Sequence, residues 1–381
     1  MKDFDSAISM NELDLANKQC SQGDMDKDLP VEWQIHSLTK TKALKDRITS
    51  GKYKPRRGIK IKIYKPKPRE PDAPWYGDRV WQRSMLNNGV YKDLTDQFIP
   101  ENFACQKGKG SEPAIRCIVK MLQELYWSKP GEPINGIHLD IKKFFPSTPH
   151  EVVREVDRKY IRDKRYLPYL YDIIANSPDT RPKEVIEADP FGERGTGLGS
   201  HINQINQVAT LNELDHELKS FCRYYVRYND DLLILDHDKD VIRRAKVVAE
   251  KHLAKLGLTM TVKQVFKAEH GFCFMRKRFI ITKTGKIVIK LHKKALAEER
   301  HVLRALKRRL DAGEIDMDHV KRHYQSVIAH FEYAGDTPIR AMDRFYTELF
   351  RQRPQYKRKK RYLYGEKHQG KLIKESQKSR G

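Results

Sequence analysis

The chain has 381 residues, 39% of them apolar, which at roughly 150 residues per domain predicts two or three domains or subdomains around a real core. Lys and Arg outnumber Asp and Glu by 75 to 51, and the net charge of +24 attracts polyanions, nucleic acid first and an anionic membrane surface second. No window reaches the roughly 18 consecutive apolar residues that span a bilayer, the N-terminus is acidic where a signal peptide would be basic, and the five cysteines lack CxxC spacing, so a soluble intracellular protein with reduced thiols and neither a disulfide framework nor a zinc site is expected.

Residues 1–30 carry seven acids against three bases and predict a short helix over 10–17 followed by a linker. From 31 to 69 the chain turns basic, helical at first and then β-rich over 58–64, where Ile59, Ile61 and Ile63 alternate with lysines. Such a strand suits a phosphate-contacting surface and equally an edge protected by charge. Residues 78–128 read as mainly helical, broken by QKGKG at 106–110. A short apolar strand over 136–139 then ends in Asp140.

Two further helical stretches lead to a Pro/Gly-rich turn over 190–199, and an amphipathic helix is predicted over 201–218 from Ile205, Val208, Leu211, Leu214 and Leu218. The segment YYVRYNDDLLIL has two apolar, β-prone halves around Asn229-Asp230 and predicts a hairpin. A helix over 241–256, a hairpin over 272–289 turning at Thr284-Gly285, and a long basic helical region over 290–350 follow. The last stretch, 351–381, has twelve Lys/Arg against two Glu and few apolar residues. It is expected to order only on a polyanion, unless Tyr356, Tyr362 and Tyr364 anchor it to the preceding helices.

Nucleotidyl transfer needs two divalent ions about 3.5–4 Å apart, usually clamped by carboxylates from separate strands. Asp140 at one strand end and Asp230-Asp231 at a hairpin tip are such a set. Adjacent acids in a turn are more often a structural choice, because Asp tolerates turn geometry. Their surroundings reverse that reading.

HLDIKKFFPS resembles the first catalytic motif of reverse transcriptases, and YVRYNDDLLI resembles their Tyr-X-Asp-Asp motif, with Asn229 at the variable position. Between them GTGLGSHINQINQVATLNELDH is similar to the family's Gly-rich turn and helix, while DRVWQ and FACQKGKG resemble fingers motifs of its prokaryotic branch, so the motifs, in order, cover about 60–290. The resemblance implies an α+β right-hand polymerase with fingers, an antiparallel palm sheet and a helical thumb. Its expected divisions are an N-terminal extension (1–30), fingers (31–135), the first catalytic palm strand (136–150), fingers and palm helices (151–190), palm (191–289), thumb (290–350) and basic tail (351–381).

The resemblance further implies RNA-directed DNA synthesis with two Mg²⁺ ions, or Mn²⁺, held by Asp140, Ile141, Asp230 and Asp231. Asp231 is the weaker ligand. Phe145 would exclude a ribose 2′-hydroxyl, Gly199 would let the backbone approach the incoming nucleotide, and Tyr228 would pack near the primer end. Gln204 matches the glutamine of diversity-generating retroelement enzymes and related bacterial groups. Lys263 would lie near the pyrophosphate leaving group as general acid, the alternative being a solvated lysine. Lys67, Arg69 and the competing Arg79 would grip the triphosphate. Lys107, Lys109, Lys357, Arg358, Lys359, Lys360 and Arg361 would contact nucleic-acid phosphates.

The sequence also departs from the family. Phe272-Cys273-Phe274-Met275 replaces its Phe-Leu-Gly motif, and Thr196-Gly197 stand where Leu-Pro is common. No Cys/His-rich nuclease or RNase H-like segment is recognisable, so a stand-alone enzyme in a bacterial cytoplasm is expected. Its partners would be a dedicated non-coding template RNA, the DNA product, deoxynucleoside triphosphates and an accessory subunit or second copy. Antiphage defence is the favoured role, and a diversity-generating retroelement the second. A two-metal nuclease and a non-catalytic RNA-binding or membrane-surface protein are the rivals from other classes.

Overall fold

The computed structural model describes residues 2–22, 28–61, 71–177, 179–292 and 294–357. Helices alternate with three antiparallel or mixed sheets, an α+β architecture. The strands are β1 (Ile59–Lys60), β2 (Asp72–Ala73), β3 (Asn135–Ile141), β4 (Tyr224–Tyr228), β5 (Asp231–Asp236), β6 (Met260–Lys267), β7 (Phe272–Phe274), β8 (Lys277–Ile281) and β9 (Ile287–Leu291). They form a ribbon β1-β2, a four-stranded sheet ordered β4-β5-β3-β6, and a meander β7-β8-β9.

The chain divides into two compact units. The first takes the described residues up to Ala114 with Leu139–Leu232 and Arg243–Lys263; the second takes Ile115–His138, Leu233–Ile242 and the described residues from Gln264 onward. Asp140, Asp230, Asp231 and Lys263 all belong to the first.

In the first unit the acidic N-terminal stretch is structural. Asp3 and Ser9 accept hydrogen bonds from the amides of Ser6 and Glu12 and so start helices Phe4–Ala7 and Met10–Ser21. Their Ala7, Leu13 and Ala16 are fully buried in one core with Val80, Trp81, Tyr166, Ile202 and Ile205. The Ser84 hydroxyl donates to the Ala7 carbonyl at 2.6 Å. The amphipathic stretch after Gly199 is two helices, His201–Ala209 and Asn212–Lys219, where the periodicity predicted one. The break falls at Thr210–Leu211, and Leu211 still points inward, so the apolar spacing alone does not reveal it.

In the second unit the predicted 272–289 hairpin is a three-stranded meander. Met275 (φ 50°) and Arg276 (φ 61°) make a tight turn between β7 and β8, a conformation for which glycine or asparagine would be the sequence signal. Its Phe272 and Phe279 rings stack 5.3 Å apart, and Phe266 of β6 stacks on Phe272 at 4.3 Å. The basic region beyond is three helices, Ala295–Asp311, Met317–Phe331 and Asp336–Phe350, around Leu303, Val320, Tyr324, Ile328, Met342 and Tyr346. The start of the tail docks on them. Tyr356 donates to Asp343 at 2.8 Å, and the Gln325 amide clamps the Lys357 peptide at 2.8 and 2.9 Å.

Candidate active site

The predicted hairpin forms: Tyr224–Tyr228 and Asp231–Asp236 flank a two-residue turn, and Asn229 takes a left-handed φ of 54°, which asparagine tolerates better than most residues. The Ile141 N–H donates to the Asp230 carbonyl at 3.1 Å, and the Lys142 N–H donates to the Thr259 carbonyl at 2.9 Å. These two bonds fasten the end of β3, and Asp140 with it, between the hairpin tip and the chain entering β6. Asp140, Asp230 and Asp231 are all partly exposed.

Lys263 on β6 reaches the same end. Its Nζ lies 3.0 Å from Asp140 Oδ2, with 46% of the lysine and 22% of the aspartate side chain exposed. An ion pair this open to water is worth at most about 1 kcal/mol, so it is readily exchanged for another partner.

Among the described residues no three His, Cys, Asp or Glu side chains form a ready-made metal group. The donors do suit Mg²⁺ in kind, since they are hard oxygen ligands at a solvent-accessible strand end. Mg²⁺ characteristically takes one or two carboxylates and completes its shell with water and substrate phosphate. Ile141 is buried and apolar, and its N–H is spent on Asp230, so only its carbonyl could ligate.

After Asp140 the chain turns sharply at Lys143 (φ 47°) into the short helix Phe144–Ser147. The two phenylalanines part company there: Phe144 is core at 2% exposure, while Phe145 stays half-buried, its ring 6.0 Å from that of Phe144. The Phe145 carbonyl accepts the Thr196 N–H at 2.9 Å, which ties it to the Gly-rich turn. Buried Gln207 strengthens that tie, donating to the Phe144 carbonyl at 3.2 Å and accepting from the Thr196 hydroxyl at 2.6 Å. Thr196, one of the departures from the family pattern, is therefore a structural link.

Gly199 is held close to backbone. A Cβ there would lie 1.9 Å from the Asp72 carbonyl oxygen, so the β1-β2 ribbon packs directly on this turn. Gln204 donates to the Leu198 carbonyl at 3.0 Å and holds the same turn from the helix that follows it.

Tyr228 lines a cavity of about 280 Å³ with Arg83, Tyr91, Phe103, Lys107, Lys109 and His201. Burial, then the Arg83 and Lys107 charges, push the His201 imidazole below its usual 6.5, and burial pushes the Tyr228 phenol up. The Lys107 and Lys109 ammonium groups lie 5.5 and 4.8 Å from the Tyr91 and Phe103 ring centres. A cavity with cations and aromatic faces suits a polyanion that carries flat bases.

Other expected residues stand elsewhere or outside the described chain. Arg79 donates to the Cys20 carbonyl at 3.1 Å and lies over the Tyr76 ring, engaged with the N-terminal helices rather than with the carboxylate group. Lys357 is on the helices of the second unit. Lys67, Arg69, Arg358, Lys359, Lys360, Arg361, Tyr362 and Tyr364 lie outside the described residues.

The residues missed by sequence reasoning are Arg227 and Asp215, both fully buried. The guanidinium meets the carboxylate through Nε at 2.7 Å and Nη2 at 2.6 Å, and Tyr225 adds a hydroxyl donor to Asp215 at 2.6 Å. An arginine inside an otherwise apolar strand, YYVRY, was the available signal.

No helix among the described residues is long and apolar enough to cross a membrane. No family model matches the chain, and no curated protein matches it. Among solved structures it is similar to telomerase from Candida albicans in complex with a fragment of telomeric RNA, at 12% identity and a TM-score of 0.45, covering 77% of this chain and 55% of that one. It is similar also to apo telomerase from Candida tropicalis, at 11% identity and a TM-score of 0.47, covering 78% of this chain and 60% of that one. The chain thus spans 55% and 60% of the length of the two telomerase chains.

Proposed function

We propose that this chain is a right-hand polymerase of the reverse-transcriptase type, extending a primer 3′ end with deoxynucleotides on an RNA template. The observation that carries this reading is the Ile141–Asp230 backbone bond, 3.1 Å long, which registers the Asp140 strand end against the Asp230-Asp231 turn. Asp140, Asp230, Asp231 and the Ile141 carbonyl would hold Mg²⁺, which when bound supplies positive charge for activating the primer hydroxyl and balancing the triphosphate. Lys263, exchanging its contact with Asp140 for the leaving pyrophosphate, delivers a proton to it. Phe145 rejects a 2′-hydroxyl by collision, and the link through Thr196 and Gln207 keeps its backbone steady against the turn. Tyr228 and the cavity cations receive nucleic-acid backbone and bases, and the net charge of +24 adds affinity through counterion release. The finer reading, a dedicated non-coding RNA in antiphage defence with a diversity-generating retroelement as second choice, rests on the Gln204 pattern.

Primer extension with labelled deoxynucleotides, ribonucleotides or neither, on RNA and on DNA templates, tests this. Template-directed deoxynucleotide addition is expected, and Phe145→Ala should raise ribonucleotide use relative to deoxynucleotide. Hydrolysis of the nucleic acid without nucleotide addition would support a nuclease instead. Tight binding with no chemistry would support an RNA-binding protein.

A further inference from the structure

Burying a guanidinium and a carboxylate is expensive, and a pair of apolar residues of similar size would often stabilise a fold as well or better. The Arg227–Asp215 pair, 0% exposed on both sides, therefore calls for a use that apolar packing cannot serve. The arginine's donors supply one. Nε and one N–H of Nη2 form the fork on Asp215, and the second N–H of Nη2 reaches the Val208 carbonyl at 2.9 Å. Nη1 leaves the fork and donates to the Asn229 carbonyl at 3.1 Å.

That carbonyl belongs to the peptide joining Asn229 to Asp230. The carbonyl of the next peptide, after Asp230, accepts the Ile141 N–H at 3.1 Å. Both peptides flanking Asp230 are thus pinned, one by a buried cation and the other by the strand end that carries Asp140. A peptide plane held on both sides of a residue leaves its Cα–Cβ direction little freedom. A left-handed residue in front, Asn229, is the kind that flips most readily when unpinned.

We propose that Arg227, clamped by Asp215, is a positioning residue: it fixes the Asn229–Asp230 peptide and thereby the direction in which the Asp230 carboxylate faces Asp140. This rests on the polymerase reading above. Lysine cannot substitute, because one ammonium group cannot hold the bidentate fork and span to Asn229 together.

The test compares the full-length protein with Arg227→Lys, Asp215→Asn and Asp230→Asn. Mn²⁺ affinity is read from the electron paramagnetic resonance of the free ion, alongside kcat, nucleotide KM, RNA affinity and thermal midpoint. Arg227→Lys is expected to weaken Mn²⁺ binding and lower kcat, each by tenfold or more, with RNA affinity and nucleotide KM within about twofold. A purely structural role would instead lower the folded fraction and all four quantities together. Should Arg227→Lys fail to fold, Asp215→Asn decides, since it keeps the arginine and an oxygen acceptor at 215 while loosening the bidentate fork that holds Nη1 on Asn229. It is expected to weaken Mn²⁺ binding at least threefold.

Wild-type Mn²⁺ affinity and kcat in folded Arg227→Lys, or in folded Asp215→Asn where the lysine variant does not fold, would overturn the positioning role while an inactive Asp230→Asn kept the polymerase reading. Full activity in Asp230→Asn would overturn the polymerase reading, and the positioning role with it.

Discussion

Two tight two-residue turns join neighbouring strands here, and they are held in opposite ways. At Asn229-Asp230 the backbone is pinned by hydrogen bonds from a fully buried arginine and from β3. At Met275-Arg276 two non-glycine residues take left-handed φ angles, a geometry costing roughly 1–2 kcal/mol per residue. The second turn is carried by what flanks it: stacked Phe272 and Phe279, Lys277 lying over the Tyr333 ring at 4.3 Å, and a surface contact of Arg276 with Glu298. A turn that must aim a carboxylate is fixed by directional bonds. A turn that only reverses the chain can rely on packing, which tolerates small shifts.

The largest expected difference is in activity. Asp230→Asn, like Asp140→Asn, should reduce nucleotide incorporation by at least about 10²-fold with RNA affinity retained, whereas Arg276→Ala should leave incorporation within about twofold. Residual extension above about one per cent of wild type in Asp230→Asn, measured by primer extension, would remove the metal-ligand role.

Stability should separate the turns next. Arg227→Met leaves Asp215 charged and buried, and should cost about 3–5 kcal/mol in urea unfolding. Arg276→Met removes only an exposed ion pair and should change stability by less than about 1 kcal/mol. Equal losses would erase the contrast.

The residue after the second turn gives a pH signature. Burial, then the Arg276 charge, lowers the Lys277 ammonium from its usual 10.5 to about 8. Between those values the unfolded chain binds the proton that the folded chain has lost, so stability rises with pH from about 8 toward 10.5, and the penalty is fully present below 8. Tyr333, pushed up by burial from 10.0 to about 12, opposes this only above pH 10, and the Cys105 thiol, raised by burial from its usual 9.0, opposes it above pH 9, so pH 8–9 is the clean window. Lys277→Met should flatten the unfolding free energy across that window, and an unchanged slope would assign it to other groups.

The smallest effect is expected from Met275→Gly. Relief of the left-handed strain is offset by roughly 0.5–1 kcal/mol of added backbone entropy in the unfolded chain, so the net gain should be no more than about 1 kcal/mol in thermal unfolding.

What could be read without coordinates was local. The Asn229-Asp230 hairpin, the strand ending at Asp140, the helix over 239–255 and the helical character of the basic region all follow from turn chemistry and apolar period. Those signals lie within a dozen neighbouring residues. Features that depended on distant partners were not legible. The N-terminal helices read as an extension because their few apolar residues acquire meaning only against Trp81 and Tyr166. The meander was hidden because Met275 and Arg276 adopt a glycine-like turn held by contacts on its flanks. The close approach of the Asp72 backbone to Gly199 is likewise set by a distant segment.

The candidate site divides along the same line. Its carboxylates were visible because they sit in recognisable local patterns. What lies around them, Arg227 with Asp215, Gln207 with Thr196 beside Phe145, and Lys263 on Asp140, was decided by tertiary structure. Buried polar groups must find partners wherever the chain brings one within about 3 Å, and one-dimensional spacing holds no record of that distance.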